Sequence, residues 1–388
     1  MDPFDTLPVE LIQQIIISTG DFAGVESILI VSSRVKAVFQ AQPAILQDLI
    51  LSNSITCMPE IHQLCYNIGL LNTPSLHCPD LARYQETCNT TPSLSYTKSL
   101  YIIQIGAQIQ RLACTCLSIM QQNLISTLNN IPAGSVTGPL NIQKASTPFS
   151  WLEEYRLYWA LWNLRHYTYL RKAATERWSW DTSLLQELDA YNNWNDIRYK
   201  QAEKLWTVAA VLSDIGFTVN WLPNDPEAEE PPRTVWPDPE RTQIPYIPSF
   251  DIPPAHSQGG RRILVWTPPA PPPENEATTT WSLTPERRGK HHPQRHVVIF
   301  FHTSAARMRN CHPPCYILAK IKPWRRFGWV IWDSWRMYSV GLSDRYPHRD
   351  ILTPDGEILK AEPRDPRERK PGVDYVARWF AMIGETLP

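Results

Sequence analysis

A chain of 388 residues has room for roughly two or three domains, and with 43% apolar residues it can bury a sizeable core. Its 37 basic and 38 acidic side chains nearly cancel, so no overall field argues for nucleic acid or for an anionic membrane surface. The acidic start Met1-Asp2-Pro3-Phe4-Asp5 is unlike a secretory signal, no stretch approaches the roughly 18 uninterrupted apolar residues of a membrane span, and eight scattered cysteines read as reduced thiols of the cytosol or nucleus.

Composition divides the chain near residue 150. Residues 1–150 hold 9 acidic and 6 basic side chains and no tryptophan; residues 151–388 hold 29 acidic, 31 basic and all 16 tryptophans. Stretches so different read as separate folding units or separate layers. The expected divisions are 1–50, 51–221, 222–296 and 297–388.

In the first stretch Pro8 suits the first position of a helix and Glu10 its first turn. Leu7, Leu11 and Ile15 recur every four residues and form one apolar stripe. Gly20 predicts the stop and Asp21 the cap of a second helix, with Val25, Ile28 and Leu29 on its apolar face. Ser32 or Ser33 caps a third, carrying Val35, Val38 and Phe39. Pro43 opens a fourth, with Ile45, Leu46, Leu49 and Ile50. Residues 98–128 predict one or two further helices, and 130–148, rich in Pro, Gly, Ser and Thr, a loop.

Trp151, Leu152, Tyr155, Trp159 and Trp162 lie at helical spacing and open the second stretch. Helical patterning continues over 182–192 and 195–215 and stops at Gly216. From 222 to 296 proline is dense, as in Pro268, Pro269, Pro271, Pro272 and Pro273. Proline lacks an amide donor and fixes φ, so neither helix nor central strand runs through this stretch. It reads as a long irregular insertion, with 261–266 as one short ordered piece. Order returns at Val297-Val298-Ile299-Phe300-Phe301, which is strand or buried helix. Residues 334–340 predict a short helix that Asp333 caps and Gly341 ends, and 373–383 a last one. The expected fold class is mainly α: a three-helix N-terminal module, then an irregular helical domain interrupted by a long proline-rich loop.

Several constellations bear on chemistry. Cys311-His312-Pro313-Pro314-Cys315 supplies half of a zinc site, but no second thiol pair completes it. A turn with buried or free thiols is the expectation, with no metal and no cofactor. Cys114 and Cys116, on different faces of one helix, read as core. The basic cluster from Arg287 to His296 reads as a solvated loop, with an import signal or an acidic-partner contact as the other possibility. Trp324, Trp329, Trp332 and Trp335 fall within twelve residues and cannot all face one interior. Tryptophan at helical spacing is more often core, but some of these line a groove or pack against the insertion, which makes the four the candidate substrate surface. There is no Gly-x-Ser-x-Gly elbow, phosphate loop, His-Glu-x-x-His or dinucleotide fingerprint, so no enzyme activity is expected.

The N-terminus resembles the F-box. The matching residues are Phe4, Leu7-Pro8-x-Glu10-Leu11-Ile12, Ile15-Ile16, Asp21-Phe22, Ile28, Val31-Ser32-Ser33-Arg34 and Phe39. Val35 and Phe39 fill the region where many F-boxes carry tryptophan, and Gly24 stands in the second helix. Both features are familiar in the long F-box proteins of filamentous fungi. Trp151-Leu152-Glu153-Glu154-Tyr155-Arg156 with Trp159-Ala160-Leu161-Trp162 is similar to their central helix. Pro323-Trp324-Arg325-Arg326-x-Gly328 with Trp332-Asp333-x-x-Arg336 is similar to their C-terminal signature.

The resemblance implies that Leu7, Pro8, Leu11, Ile15 and Val31 insert between C-terminal helices of the SCF adaptor subunit and, through it, reach a cullin. The chain after residue 50 would then present a surface to an unknown protein substrate marked for ubiquitin-dependent degradation, in cytoplasm or nucleus, with no membrane or nucleic-acid partner. A module of ~45 residues cannot bury all its apolar side chains among three short helices, which agrees with an apolar patch there. The alternative is an F-box-like structural or binding protein acting outside a ligase, with these residues packed on downstream helices.

Overall fold

The computed structural model describes residues 2–89, 95–131, 141–190, 199–219, 246–250 and 322–342, two short strands within 350–360, and Met382. The fold is mainly α. The chain begins with α1 (Val9–Thr19), α2 (Phe22–Val31), α3 (Ser33–Ala41) and α4 (Ile45–Ser52). Local capping sets their ends. Gly20 takes the left-handed conformation at φ 64° after α1. The Asp21 carboxylate accepts the Gly24 N–H at 2.6 Å, and the Ser32 hydroxyl accepts the Val35 N–H at 3.0 Å. Pro8 stands one residue before α1 and not inside it.

The next elements are α5 (Pro59–Leu71) and α6 (Leu81–Cys88), which lie in the 51–221 stretch expected to be helical but were not singled out as elements, and α7 (Tyr96–Asn129). The last is a single helix of 34 residues, roughly 50 Å long at 1.5 Å per residue. By length and composition α7 could cross a membrane. Its apolar side chains are instead covered by α2, α5, α10 (Tyr199–Asp214) and α8 (Trp151–Glu176). A capping box between Ser150 and Glu153 starts α8. Every residue from Trp151 to Arg165 is buried, as a helix surrounded on all sides requires. α9 (Thr182–Ala190) packs against α6 and α8.

Two short helices follow far along the chain, α11 (Lys322–Arg326) and α12 (Ser334–Ser339). Asp333 caps α12 by accepting the Arg336 N–H at 2.6 Å, and Gly341 beyond its end has φ 86°. β1 (Asp350–Leu352) and β2 (Ile358–Lys360) pair antiparallel, Ile351 opposite Leu359, where no strand was expected.

The N-terminal helices are built onto this body. Phe22 of α2 lies so close to α7 that a Cβ on Gly106 would come 2.5 Å from its ring. The same ring meets Trp162 of α8 edge-on at 6.3 Å. The Ala23 N–H donates to Gln110 Oε1 at 3.0 Å, and Arg111 pairs with Glu26. One hydrophobic cluster runs from Ile12 to Met382. The insertion apart from 246–250, the expected elements at 261–266 and 297–301, Cys311 and Cys315, and the basic cluster lie outside the described residues, as does the 373–383 helix except Met382.

Candidate docking surface

α1 is apolar on two stripes. Ile12 and Ile16 are fully buried and form the core stripe. Leu11 and Ile15 lie about 100° away around the helix, with Leu7 just before its start. They run along the margin of the core: Leu7 and Ile15 are half-buried, Pro8 is exposed, and Leu11 is 51% exposed. α2 is likewise apolar almost all round. Its core face is Phe22, Ala23, Val25 and Leu29, which leaves Ile30 76% and Val31 71% exposed at its end. Sequence reasoning singled out Val31 but missed Ile30. Four consecutive apolar residues, Ile28-Leu29-Ile30-Val31, against a core that takes one face were the available signal.

Among the described residues the exposed large hydrophobics are Leu11, Ile30, Val31 and Leu51, all within the first 51 residues. Asp2 fastens the chain before α1 to the end of α2, where two of them, Ile30 and Val31, stand. Its carboxylate accepts from the Ser32 hydroxyl at 2.6 Å, the Phe4 N–H at 2.9 Å and the Arg34 N–H at 3.3 Å. These bonds, the Ser32 hydroxyl foremost, hold the Asp2 carboxyl below the usual carboxylate range. They tie the turn before α1 to the α2–α3 junction. The turn that leads through Leu7 and Pro8 into α1 is therefore fastened to the end of α2, where Ile30 and Val31 are exposed. Leu51 belongs to the other end, where the Asn53 side-chain amide donates to the Gly20 carbonyl at 2.7 Å. Burying a side chain such as Leu11, Ile30 or Val31 against a partner is worth roughly 1.5–3 kcal/mol each before association costs.

The tryptophan surface expected near the C-terminus is not there. Trp324, Trp329 and Trp332 are fully buried; Trp335 lies in α12, with its side chain outside the described residues. The reason is that residues 322–342 fold back onto α7 and α8. Gly328, at φ 71°, turns the chain against Met120, so closely that a Cβ would meet the sulfur at 2.7 Å. Beyond it the Arg336 guanidinium donates to Glu153 Oε1 at 2.7 Å and Oε2 at 2.8 Å. It also donates to the carbonyls of Ala145 at 2.9 Å, Thr147 at 3.1 Å and Pro148 at 2.9 Å. Arg156 donates to the carbonyls of Ile331 at 2.9 Å and Trp332 at 2.7 Å.

Burial pushes the Asp333 carboxyl up to about 6, with the Glu153 charge adding to it, and pulls Arg156 down to about 10. Burial also pulls at Arg336, but Glu153 and Asp333 more than offset it, so its pKa is raised. A charged cluster this deeply enclosed holds the chain together; it does not face a solvent-borne substrate. Its residues come from the two segments that carried the central-helix and C-terminal resemblance, which thus meet in space. Among the described residues no group of three or more His, Cys, Asp or Glu is placed to hold a metal ion.

No protein-family model, curated protein or solved structure matches the chain.

Proposed function

We propose that the chain is an F-box protein, a non-catalytic subunit that recruits substrates to an SCF-type cullin–RING ubiquitin ligase. In this reading Leu7, Pro8, Leu11, Ile15, Ile30 and Val31 dock on the adaptor subunit. The body after residue 50 carries the substrate, in the cytoplasm, the nucleus or both. The observation that carries the proposal is the exposure of Leu11, Ile30 and Val31 on the first two helices, when among the described residues the only other exposed large hydrophobic is Leu51. Exposed large apolar side chains concentrated on one module point to an interaction site. The F-box resemblance assigns the same end of the same helices to the adaptor.

A second reading draws on the packing of α2. Phe22, Ala23 and Glu26 bind α7 and α8 closely, so the N-terminal helices also serve as an integral part of a larger helical body. A binding protein that works outside a ligase would have the same architecture and the same exposed patch, with a different occupant.

Affinity purification of the intact chain, with mass spectrometry of its partners, separates the two. Recovery of the adaptor together with a cullin is expected. Recovery of other partners without either subunit would favour the second reading.

A further inference from the structure

Residues 2–8 lead into α1 as a series of short turns. The Asp5 N–H donates to the Asp2 carbonyl at 3.1 Å, and the Leu7 N–H to the Phe4 carbonyl at 3.1 Å. The Ile12 N–H, inside α1, donates to the Pro8 carbonyl at 3.2 Å. Little of this segment reaches the core. Phe4 and Leu7 pack against it half-buried, while Pro3, Asp5, Thr6 and Pro8 are exposed. Fixing the backbone of each residue costs conformational entropy, so a segment with so few apolar contacts needs another restraint to hold one position.

The Asp2 carboxylate supplies that restraint with a separate oxygen for each side. Oδ1 accepts the Phe4 N–H at 2.9 Å and closes the first turn. Oδ2 accepts from the Ser32 hydroxyl at 2.6 Å and from the Arg34 N–H at 3.3 Å, both at the junction of α2 and α3. Ser32 is buried, and its oxygen already accepts the Val35 N–H at 3.0 Å, so the direction of its own proton is set. The N–H groups that open α3 favour an anion beside them. Among the described residues, the hydrogen bonds that join residues 2–8 to α2 and α3 all run through this carboxylate. They end next in sequence to the exposed pair Ile30 and Val31.

We propose that Asp2 is a positioning residue of the docking surface: it fixes the entry to α1 against the end of α2, so that Leu7 and Pro8 meet the adaptor in a set arrangement with Ile30 and Val31. This rests on the adaptor reading and adds which residue sets the geometry of that face. Without the carboxylate every exposed apolar side chain is still present. The entry segment must then be ordered at the moment of docking, and that ordering is subtracted from the affinity. Asp2 acts through Leu7 and Pro8, so its effect depends on what they contribute.

The test is calorimetric titration of the intact chain with the purified SCF adaptor subunit. Asp2→Ala is expected to bind at least about ten-fold more weakly than wild type. Asp2→Asn keeps one oxygen for the Ser32 hydroxyl and loses the bond from Phe4, so its affinity should fall between the two. In a Leu7→Ala background Asp2→Ala should cost no more than about three-fold, because the side chain it positions is gone. A residue that served stability alone would weaken both backgrounds by the same factor. Should Asp2→Ala fail to fold, Asp2→Asn carries both comparisons, with a smaller loss that again fades beside Leu7→Ala. Equal binding by wild type and the Asp2 variant, or the same fold loss with and without Leu7→Ala, overturns this inference alone. Absence of binding by wild type overturns the adaptor reading and this inference with it.

Discussion

Arg336 grips Glu153 through two parallel hydrogen bonds of 2.7 and 2.8 Å, across 183 residues of chain and with both side chains almost wholly out of water. This pair closes the C-terminal segment onto the central helix. Removing one partner leaves the other charge buried without compensation, which typically costs about 3–5 kcal/mol. Arg336→Met is expected to lose that much in urea unfolding. Arg336→Lys keeps the charge but loses the fork and most of the carbonyl contacts, so it recovers only part. A loss under about 1 kcal/mol for Arg336→Met would show that the clamp does not hold the segment.

At Gly106 the Phe22 ring of α2 packs directly onto α7. A Cβ there meets three ring carbons of Phe22 at 2.5 to 2.8 Å. Gly106→Ala should cost about 1–3 kcal/mol by overpacking. Adding Phe22→Leu, which removes the ring edge, should return part of it. Thermal unfolding of the two single variants and the double measures the coupling, and simple additivity would mean the contact is not tight.

The imidazole of His166 meets the Tyr84 hydroxyl at 2.8 Å, and burial holds its pKa down to about 4. The folded value lies below the ordinary 6.5, so the unfolded chain takes up the proton first. The contribution is present above pH 6.5 and is lost as pH falls toward 4. At 1.36 kcal/mol per unit this is at most about 3 kcal/mol, and roughly half that given the partly exposed ring. Asp333 has the opposite sign: its folded pKa of about 6 lies above the ordinary 3.8, so its contribution grows as pH falls between those values. The difference between His166→Gln and wild type isolates the histidine. It should shrink steadily from pH 7 to pH 4, and a constant difference would contradict the assignment.

The two stripes of α1 should respond differently to the same change. Leu11→Ser touches an exposed side chain and is expected to stay within about 0.5 kcal/mol of wild type. Ile12→Ser empties a fully buried site and is expected to lose at least about 2–5 kcal/mol. Similar thermal midpoints for the two variants would contradict the burial pattern.

Gly20, Asp21, Ser32, Asp333 and Gly341 were legible in the sequence as helix punctuation because a cap is settled within about four residues. The Leu7–Leu11–Ile15 stripe was legible too, but not which stripe is buried. That choice between Ile12 with Ile16 and Leu11 is made by the helices packed on α1, above all α4. Four tryptophans in twelve residues read as too many for one interior, yet Trp324, Trp329 and Trp332 all fit, because the turn at Gly328 folds their segment against α7 and α8. The Arg336–Glu153 pair could not be read from periodicity, which says nothing about partners 183 positions apart. The seating of Tyr246–Phe250 against α8, with Ile247 and Phe250 buried and Arg165 and Arg171 against its rings, was hidden for another reason: the proline-dense stretch around it signals irregular chain, and irregular chain can still be seated by apolar and aromatic residues.

The most direct test of the docking surface is calorimetric titration of the intact chain with the purified SCF adaptor subunit. Wild type, Leu51→Asp and the double variant Leu11→Asp/Val31→Asp are compared. Leu51 is exposed at the far end of the module and serves as the control. Wild type and Leu51→Asp should bind alike. The double variant should lose at least about 100-fold in affinity, since two apolar anchors become carboxylates that the interface would have to desolvate, while its unfolding midpoint stays close to wild type. Absence of binding by wild type, or equal binding by the double variant, would contradict the assignment of this end of α1 and α2 to the adaptor.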